Sequence, residues 1–446
     1  MPQNALFDHF LRRMQELAPG GRLLVAFSGG LDSTVLLALC ARLAAEQGRA
    51  LTALHVHHGL QAVADDWPAH CAAVAGRLGV PCRTLYVQVT LGPRISLEAA
   101  AREARYRALA AELQPGDALL TGHHRDDQAE TLLLALKRGA GLAGLAAMPA
   151  SRPLGAGVQL RPLLDCARSQ LEAYAHEAGL SWIEDPSNAD NRFDRNFLRN
   201  EVLPRLQAQW PAFMDTLSRS AELCAEQLEL ASELAEQDLP GLLNAGGGLS
   251  VAGLARLGPA RRSNALRHWL QGHGIHCSRA QLTALWRELA LARPDATPLL
   301  RLGQKEVRRY QGVLYLPERG PEPRPLPALQ AGTWQDCGVG RIRLEWTETG
   351  AELAAGLDPA RLRLAFGVPG LRARPIGRSG SRPLKKLWQE YGVPPWRREC
   401  IPLLLDGDRL VAAVGLFVSQ ESAPPPDQPG WRLEWQPLGY VVQAPL

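Results

Sequence analysis

Seven residues near the start of the chain, Ser28-Gly29-Gly30-Leu31-Asp32-Ser33-Thr34, stand between an apolar run, Leu23–Phe27, and a helical pattern over Thr34–Ala45. Two adjacent glycines let the backbone turn tightly and bring its amides up to an anion with no Cβ in the way. The helix that follows presents unpaired N–H groups and the positive end of its dipole, so phosphate is the ligand to expect. The hydroxyls of Ser28, Ser33 and Thr34 add donors. No lysine follows the second glycine, which excludes a Walker A loop, and the spacing is not G-x-G-x-x-G. Asp32 repels phosphate directly and is better employed on a magnesium ion that bridges phosphate oxygens. The bland alternative is a strand–turn–helix joint with serine as the cap.

A second group, His124-Arg125-Asp126-Asp127-Gln128-Ala129-Glu130-Thr131, follows another short apolar run. Asp127 and Glu130 are three apart and share a helical face, a spacing suited to a metal or to an amine. First-turn acids also complement a helix dipole, which is their ordinary use. His55, His57 and His58 end a strand, and their spacing divides them between its faces. That argues for shaping a nucleotide pocket, His55 foremost, over holding a metal.

Parallel strands alternating with helices are needed to bring these segments to one edge. The pattern supplies them: strands at Leu23–Phe27, Leu51–Val56, Cys82–Val89 and Ala118–Gly122, with helices at Thr34–Ala45, Asp66–Leu78, Leu97–Leu113 and Asp126–Arg138. Ligands bind such sheets beyond the carboxyl ends of the strands, where both motifs fall. The expected class is α/β, with an N-terminal parallel-sheet domain over 1–210. A mainly helical domain is expected over 211–316, from Phe213–Gln237, Pro259–Leu270 and Ser278–Leu291. The run Pro-Glu-Arg-Gly-Pro-Glu-Pro-Arg-Pro-Leu-Pro places a proline-rich linker at 317–332, and a small α+β domain at 333–446.

The chain has 446 residues, 46% of them hydrophobic and 21% charged, so it can bury sizeable cores and is not a disordered chain. It contains no apolar run long enough to span a bilayer and no secretory leader pattern, so the cytoplasm is the expected compartment. Eight cysteines, at 40, 71, 82, 166, 224, 277, 337 and 400, include no CxxC pair, which speaks against zinc ribbons and redox pairs. Net charge is only +4, but between Leu371 and Arg398 the bases Arg372, Arg374, Arg378, Arg382, Lys385, Lys386, Arg397 and Arg398 face one acid, Glu390. Such a field suits a phosphate backbone or, equally, a solvated surface.

SGGxDS between a strand and a helix resembles the loop of the PP-loop ATP pyrophosphatases, which split ATP between its α and β phosphates. The wider set of motifs resembles one family among them, the tRNA(Ile)-lysidine synthases. It comprises HVHHGL (55–60), EAAAREARY (98–106), HRDDQAET (124–131), LKRGAGLAGLAAM (136–148), RPLL (161–164), WIEDPSN (182–188), DRNFLRNEVLP (194–204) and GRSGSRPLKKLWQEYGVPPWRRECIPLL (377–404).

The resemblance implies that ATP and Mg2+ adenylate cytidine 34 of a CAU-anticodon tRNA(Ile), and that free L-lysine then displaces AMP to leave lysidine. It implies that Ser28, Gly29, Gly30, Leu31, Asp32 and Ser33 hold ATP, with Asp32 at the metal. Arg105, with Arg102 beside it, would face substrate or phosphate. Asp127 and Glu130 would position the lysine ammonium or activate its amine. Arg195 and Arg199 would contact the tRNA, with pairing to acids as the plain alternative. Arg378, Arg382, Lys385 and Lys386 would grip tRNA phosphates, with Trp388 and Trp396 packing or stacking. A homo-oligomer is left open. The rival is a PP-loop enzyme that thiolates a tRNA base, which the missing CxxC disfavours.

Overall fold

The first helix, α1 (Gln3–Leu17), buries Leu6, Phe7, Phe10 and Met14 along one side, the 3-and-4 spacing of an amphipathic helix. The computed structural model describes residues 3–59, 65–90, 97–244, 246–293, 296, 298–317 and 320–438. They fall into two compact units, Met1–Ala231 and Ser232–Leu446.

In the first unit the strands are β1 (Leu23–Ala26), β2 (Leu51–His57), β3 (Cys82–Tyr86), β4 (Ala118–Leu120), β5 (Ser151–Leu154) and β6 (Gly157–Leu160). They form one sheet in the order β3-β2-β1-β4-β6-β5. All neighbours are parallel except β5, which pairs antiparallel with β6 at the edge. The crossovers run through α2 (Leu31–Gln47), α3 (Trp67–Arg77) and α4 (Leu97–Ala111). After β4 come α5 (Arg125–Lys137) and the single turn α6 (Leu142–Leu145), and after β6 comes α7 (Arg168–Glu177). Leu23, Val25, Leu36, Leu37, Leu39 and Leu120 lie in its core, each worth about 1.5–3 kcal/mol on burial.

Two details set the geometry of the site. β1 lies between β2 and β4, so the loops after β1 and β4 leave neighbouring strands at the same carboxyl edge. At Gly122, just past β4, a Cβ would stand 2.8 Å from the carbonyl oxygen of Asp32 and 3.1 Å from the amide of Ser33. Glycine there lets the two loops touch backbone to backbone. At the opposite edge Asp117, 3% exposed, accepts from the amides of Arg22 and Gln114 and is gripped by the Arg22 guanidinium at 2.6 Å. Arg22 holds the Asp117 carboxyl below the usual carboxylate range, with the backbone amides adding to the effect.

The segment Asp194–Gln209 is one irregular helical run: α8 (Asp194–Phe197), a π-turn (Leu198–Val202) and α9 (Leu203–Gln209). Helix α10 (Phe213–Asp238) starts in the first unit and ends in the second.

The second unit begins with the helical region, α11 (Val251–Arg256), α12 (Pro259–Gly272) and α13 (Arg279–Ala284), continued by a π-turn (Leu285–Ala290). These helices pack on an antiparallel sheet that the periodicity did not reveal, β7 (Leu249–Ser250), β8 (Leu299–Leu302), β9 (Lys305–Tyr310) and β10 (Val313–Tyr315), in the order β7-β10-β9-β8. Beyond it residues 320–330 form no helix or regular strand, and they are bonded to the strands that follow: Arg324 to Cys337, Leu326 to Leu364 and Leu329 to Leu362. The final β-rich part is built on the eight-residue pair Gly340–Thr347 and Gly430–Pro437 and on a sheet containing Leu362–Ala365, Leu403–Asp406 and Arg409–Ala413. One short helix, Leu384–Glu390, packs on it through Leu384, Leu387 and Trp388.

Candidate functional site

The loop after β1 is held from within. Ser33 Oγ donates to the Gly30 carbonyl at 3.0 Å and accepts from the Ser28 amide at 3.2 Å, and Thr34 Oγ1 donates to Gly30 at 2.9 Å. Those hydroxyls therefore fix the loop's shape. Gly30 is the N-cap of α2 and no side chain caps that helix, so its first-turn amides are left for a ligand. Gly29 sits at φ +83°, a left-handed conformation that glycine alone takes without strain. Leu31 is buried and anchors the turn in the core.

Facing the loop, the start of α5 gathers acids around a buried histidine. His124, 0% exposed, lies 3.6 Å from Asp32, 3.6 Å from Asp126 and 3.5 Å from Asp127. Burial disfavours its charge, but Asp127, Asp126 and Asp32 outweigh burial and raise it to about 10. Asp127 is likewise opposed by burial yet held below its ordinary value by His124, Arg199 and Arg195. Its carboxylate accepts from the His124 amide at 3.1 Å, which closes the helix end. Asp32 Oδ1 is buried and has no hydrogen-bond partner. A carboxylate oxygen left bare beside Asp127, at a helix N-terminus shaped for phosphate, suits a hard cation such as Mg2+.

Glu130 is 0% exposed and accepts from Arg199 Nε at 2.6 Å; Arg195 Nε stands 2.9 Å away as an ion pair, while Arg195 Nη2 donates to Thr131 Oγ1 at 3.0 Å. Arg199 Nη2 also reaches Asp127 at 3.1 Å. Burial pushes Glu130 upward despite Arg199, whereas Arg199 is raised because Glu130 and Asp127 outweigh its own burial. The difference follows from Glu130 being the more deeply enclosed partner. The structure thus pairs Arg195 and Arg199 with acids of α5, through a π-turn of the kind that recurs at functional sites.

His55 is buried, with Nδ1 3.0 Å from the Phe27 carbonyl and Cys71 Sγ 3.4 Å away, and burial lowers its pKa. It braces the strand that ends in the loop. His57 pairs instead with Asp65 at 3.2 Å. Arg105 is desolvated, repelled by Arg102 and Arg195, and has no carboxylate partner among the described residues.

In the second unit Arg378 and Arg382 both pair with Glu390, at 2.5 and 2.6 Å, while Lys385 and Lys386 are exposed on the short helix. Trp388 is buried; Trp396 is half-buried against Tyr310, Tyr315 and Arg308. His124 opens the motif HRDDQAET, but the sequence alone assigns it no role. Its place between three acids depends on the β1–β4 adjacency, which no local pattern displays. Gln128 was also missed; its amide clamps both backbone groups of Met148, at 2.8 and 2.9 Å, and fixes the glycine-rich turn that contains α6.

A parallel sheet with an SGGxDS loop and an acidic helix start on the adjoining strand defines a PP-loop ATP-binding domain, and the family model described as the PP-loop domain matches residues 4–206. Two further models match, the TilS substrate binding domain at 249–315 and the TilS substrate C-terminal domain at 362–435. The chain is 46% identical over 427 residues to the tRNA(Ile)-lysidine synthase of Serratia proteamaculans, covering 95% of this chain and 97% of that one. It is 45% identical over 429 residues to that of Vibrio cholerae, covering 93% and 95%. This chain belongs to the tRNA(Ile)-lysidine synthase family.

Proposed function

We propose the following division of labour in a ligase that converts cytidine 34 of a CAU-anticodon tRNA(Ile) to lysidine, with ATP split to AMP and pyrophosphate. The observation that carries it is the open anion cradle of Gly29–Ser33 set against the His124–Asp32–Asp127 cluster. Residues 1–210 hold the chemistry. Residues 211–316 and 333–446 engage the RNA, with 317–332 joining them.

The amides of the loop and of the first turn of α2 bind the phosphates of ATP. Mg2+, when bound, would neutralise charge on the departing pyrophosphate, and Asp32, whose buried Oδ1 is without a partner, would hold it. In the first step the C2 oxygen of the cytosine attacks the α-phosphorus and pyrophosphate leaves. In the second the ε-amine of free L-lysine attacks C2 and AMP leaves. The amine must first lose a proton, and Asp127, the less enclosed acid, meets it. Glu130 acts through Arg195 and Arg199, which it holds over the same crevice. Arg105, desolvated and without a carboxylate partner among the described residues, faces a phosphate.

Lys385 and Lys386 supply tRNA phosphate contacts directly; Arg378 and Arg382 do so after sharing their charge with Glu390. Among the described residues no helix is long and apolar enough to cross a membrane, and the eight cysteines are free, which supports a cytoplasmic setting. The test is whether AMP forms from ATP only when a CAU-anticodon RNA is present. AMP formation independent of RNA would overturn the assignment.

A further inference from the structure

Beside the ATP loop, on the other side of β4, one tyrosine is enclosed by guanidinium groups. The carbons at the centres of the Arg102 and Arg152 guanidiniums lie 5.1 Å from the Tyr106 ring centroid, and that of Arg105 lies 5.7 Å away. Arg161, 2% exposed, completes the group. Its Nη1 donates to the Pro149 carbonyl at 2.6 Å and its Nη2 to Gln159 Oε1 at 3.0 Å, while its buried Nε has no partner. Arg152 Nε donates to that same Gln159 oxygen at 2.6 Å. The Gln159 amide nitrogen, in turn, donates to Thr121 at 3.0 Å and to the Tyr106 hydroxyl at 3.4 Å.

Among the described residues no carboxylate pairs with Arg102, Arg105, Arg152 or Arg161. Arg161 is buried, Arg105 and Arg152 are half-buried, and Arg102 stands at the exposed rim. Gathering like charges where water is partly withdrawn is costly unless an anion joins them. The strain is visible in the groups themselves: burial and the neighbouring arginines lower Arg161 to about 10 and lower Arg105 as well. His123, on the same side, is lowered to about 3 by burial, with Arg161, Arg102 and Arg195 repelling a proton there. It is neutral and cannot serve as another cation or as the missing anion.

We propose that Arg102, Arg105, Arg152 and Arg161 form a second phosphate site, separate from the ATP loop, with Tyr106 as its floor and Gln159 as its brace. Planar forks in a desolvated setting are suited to bidentate contact with phosphate oxygens. The site adjoins β4, whose following loop carries the acids assigned above, so a phosphodiester flanking the target base is the first source of that phosphate. Pyrophosphate released from ATP is the second. The RNA assignment rests on the proposed lysidine-forming reaction; the anion site itself does not.

The test uses the full-length chain and the variants Arg102→Ala, Arg152→Ala and Arg152→Lys. Three affinities are measured: for a CAU anticodon stem–loop across a salt series, for inorganic pyrophosphate, and for a non-hydrolysable ATP analogue. Each alanine variant is expected to weaken the stem–loop by about tenfold and to lower the salt slope by about one, with the ATP analogue unaffected. Arg152→Lys recovers the slope but only part of the affinity. A loss confined to pyrophosphate assigns the site to the leaving group instead. Unchanged affinity for both ligands overturns the proposal. Arg102 is exposed, so its variant decides the matter should Arg152→Ala fail to fold. A wild-type chain that ignores the RNA altogether speaks against the reaction, and the pyrophosphate arm still reads the arginines.

Discussion

Replacing Gly30 with alanine separates what the loop needs to fold from what it needs to bind. Gly30 sits at φ −76° and ψ 166°, extended backbone open to any residue. An added methyl would find Ser28 Oγ at 3.6 Å and the Ile183 carbonyl at 3.9 Å, both ordinary contacts. The folded state therefore accepts alanine, and the stiffer unfolded chain favours it by about 0.4–1 kcal/mol. Melting should stay level or rise by about 1–4 °C. The same methyl stands at the mouth of the amide cradle, where a phosphate oxygen must come close. Losing one charge-assisted hydrogen bond costs about 1.5–3 kcal/mol, which is about 10- to 150-fold in ATP affinity. Gly29→Ala is the control: at φ +83°, with Cys71 Sγ and Ile183 Cδ1 each 3.0 Å from the new carbon, it should lower melting and binding together. Calorimetric titration with an ATP analogue, alongside thermal melting, reads both quantities. A folded Gly30→Ala protein that binds ATP within twofold of wild type would show that no phosphate oxygen closes on this position.

Asp32→Ala should abolish ATP–pyrophosphate chemistry while leaving RNA affinity unchanged, since it removes charge at the metal and none from the basic surface; retained AMP formation would remove Asp32 from that role. Arg199→Ala strips a buried carboxylate of its shorter partner and should destabilise the first unit by about 3 kcal/mol, read from denaturant midpoints. A loss below about 1 kcal/mol would mean that Arg195 alone suffices for Glu130. Asp117 has its pKa depressed by Arg22, so its contribution is present above the ordinary value of 3.8 and is lost as pH falls through the folded value. The stability gap between wild type and Asp117→Asn should therefore be widest near about pH 7 and narrow below 3.8; a gap independent of pH would contradict this.

The parallel strands and the two motif-bearing loops were legible because each is a local pattern: an apolar run, a glycine pair, a helical period. The hairpin of β5 and β6 was not, because Pro153 reads as a breaker and is tolerated only since β5 lies at the sheet edge. The strands of the middle sheet are two to six residues long, and Lys-Glu-Val-Arg-Arg-Tyr carries too much charge to announce itself. The acids of α5 could be named from spacing, but their partners could not. Arg199 reaches Glu130 across 69 positions, and the charge complement of a crevice is a property of the fold. The same applies to the arginines around Tyr106, which come from α4, β5 and the residue after β6.

A crevice that adenylates a cytosine and passes it to lysine must join lysine to RNA only where that cytosine stands. The decisive measurement is to incubate the protein with ATP, magnesium, labelled lysine and a CAU-anticodon tRNA(Ile), in parallel with the same tRNA altered at C34. ATP-dependent label is expected in the first RNA and none in the second. Label that survives the change at C34, or AMP turnover on the RNA with no lysine incorporated, would contradict it.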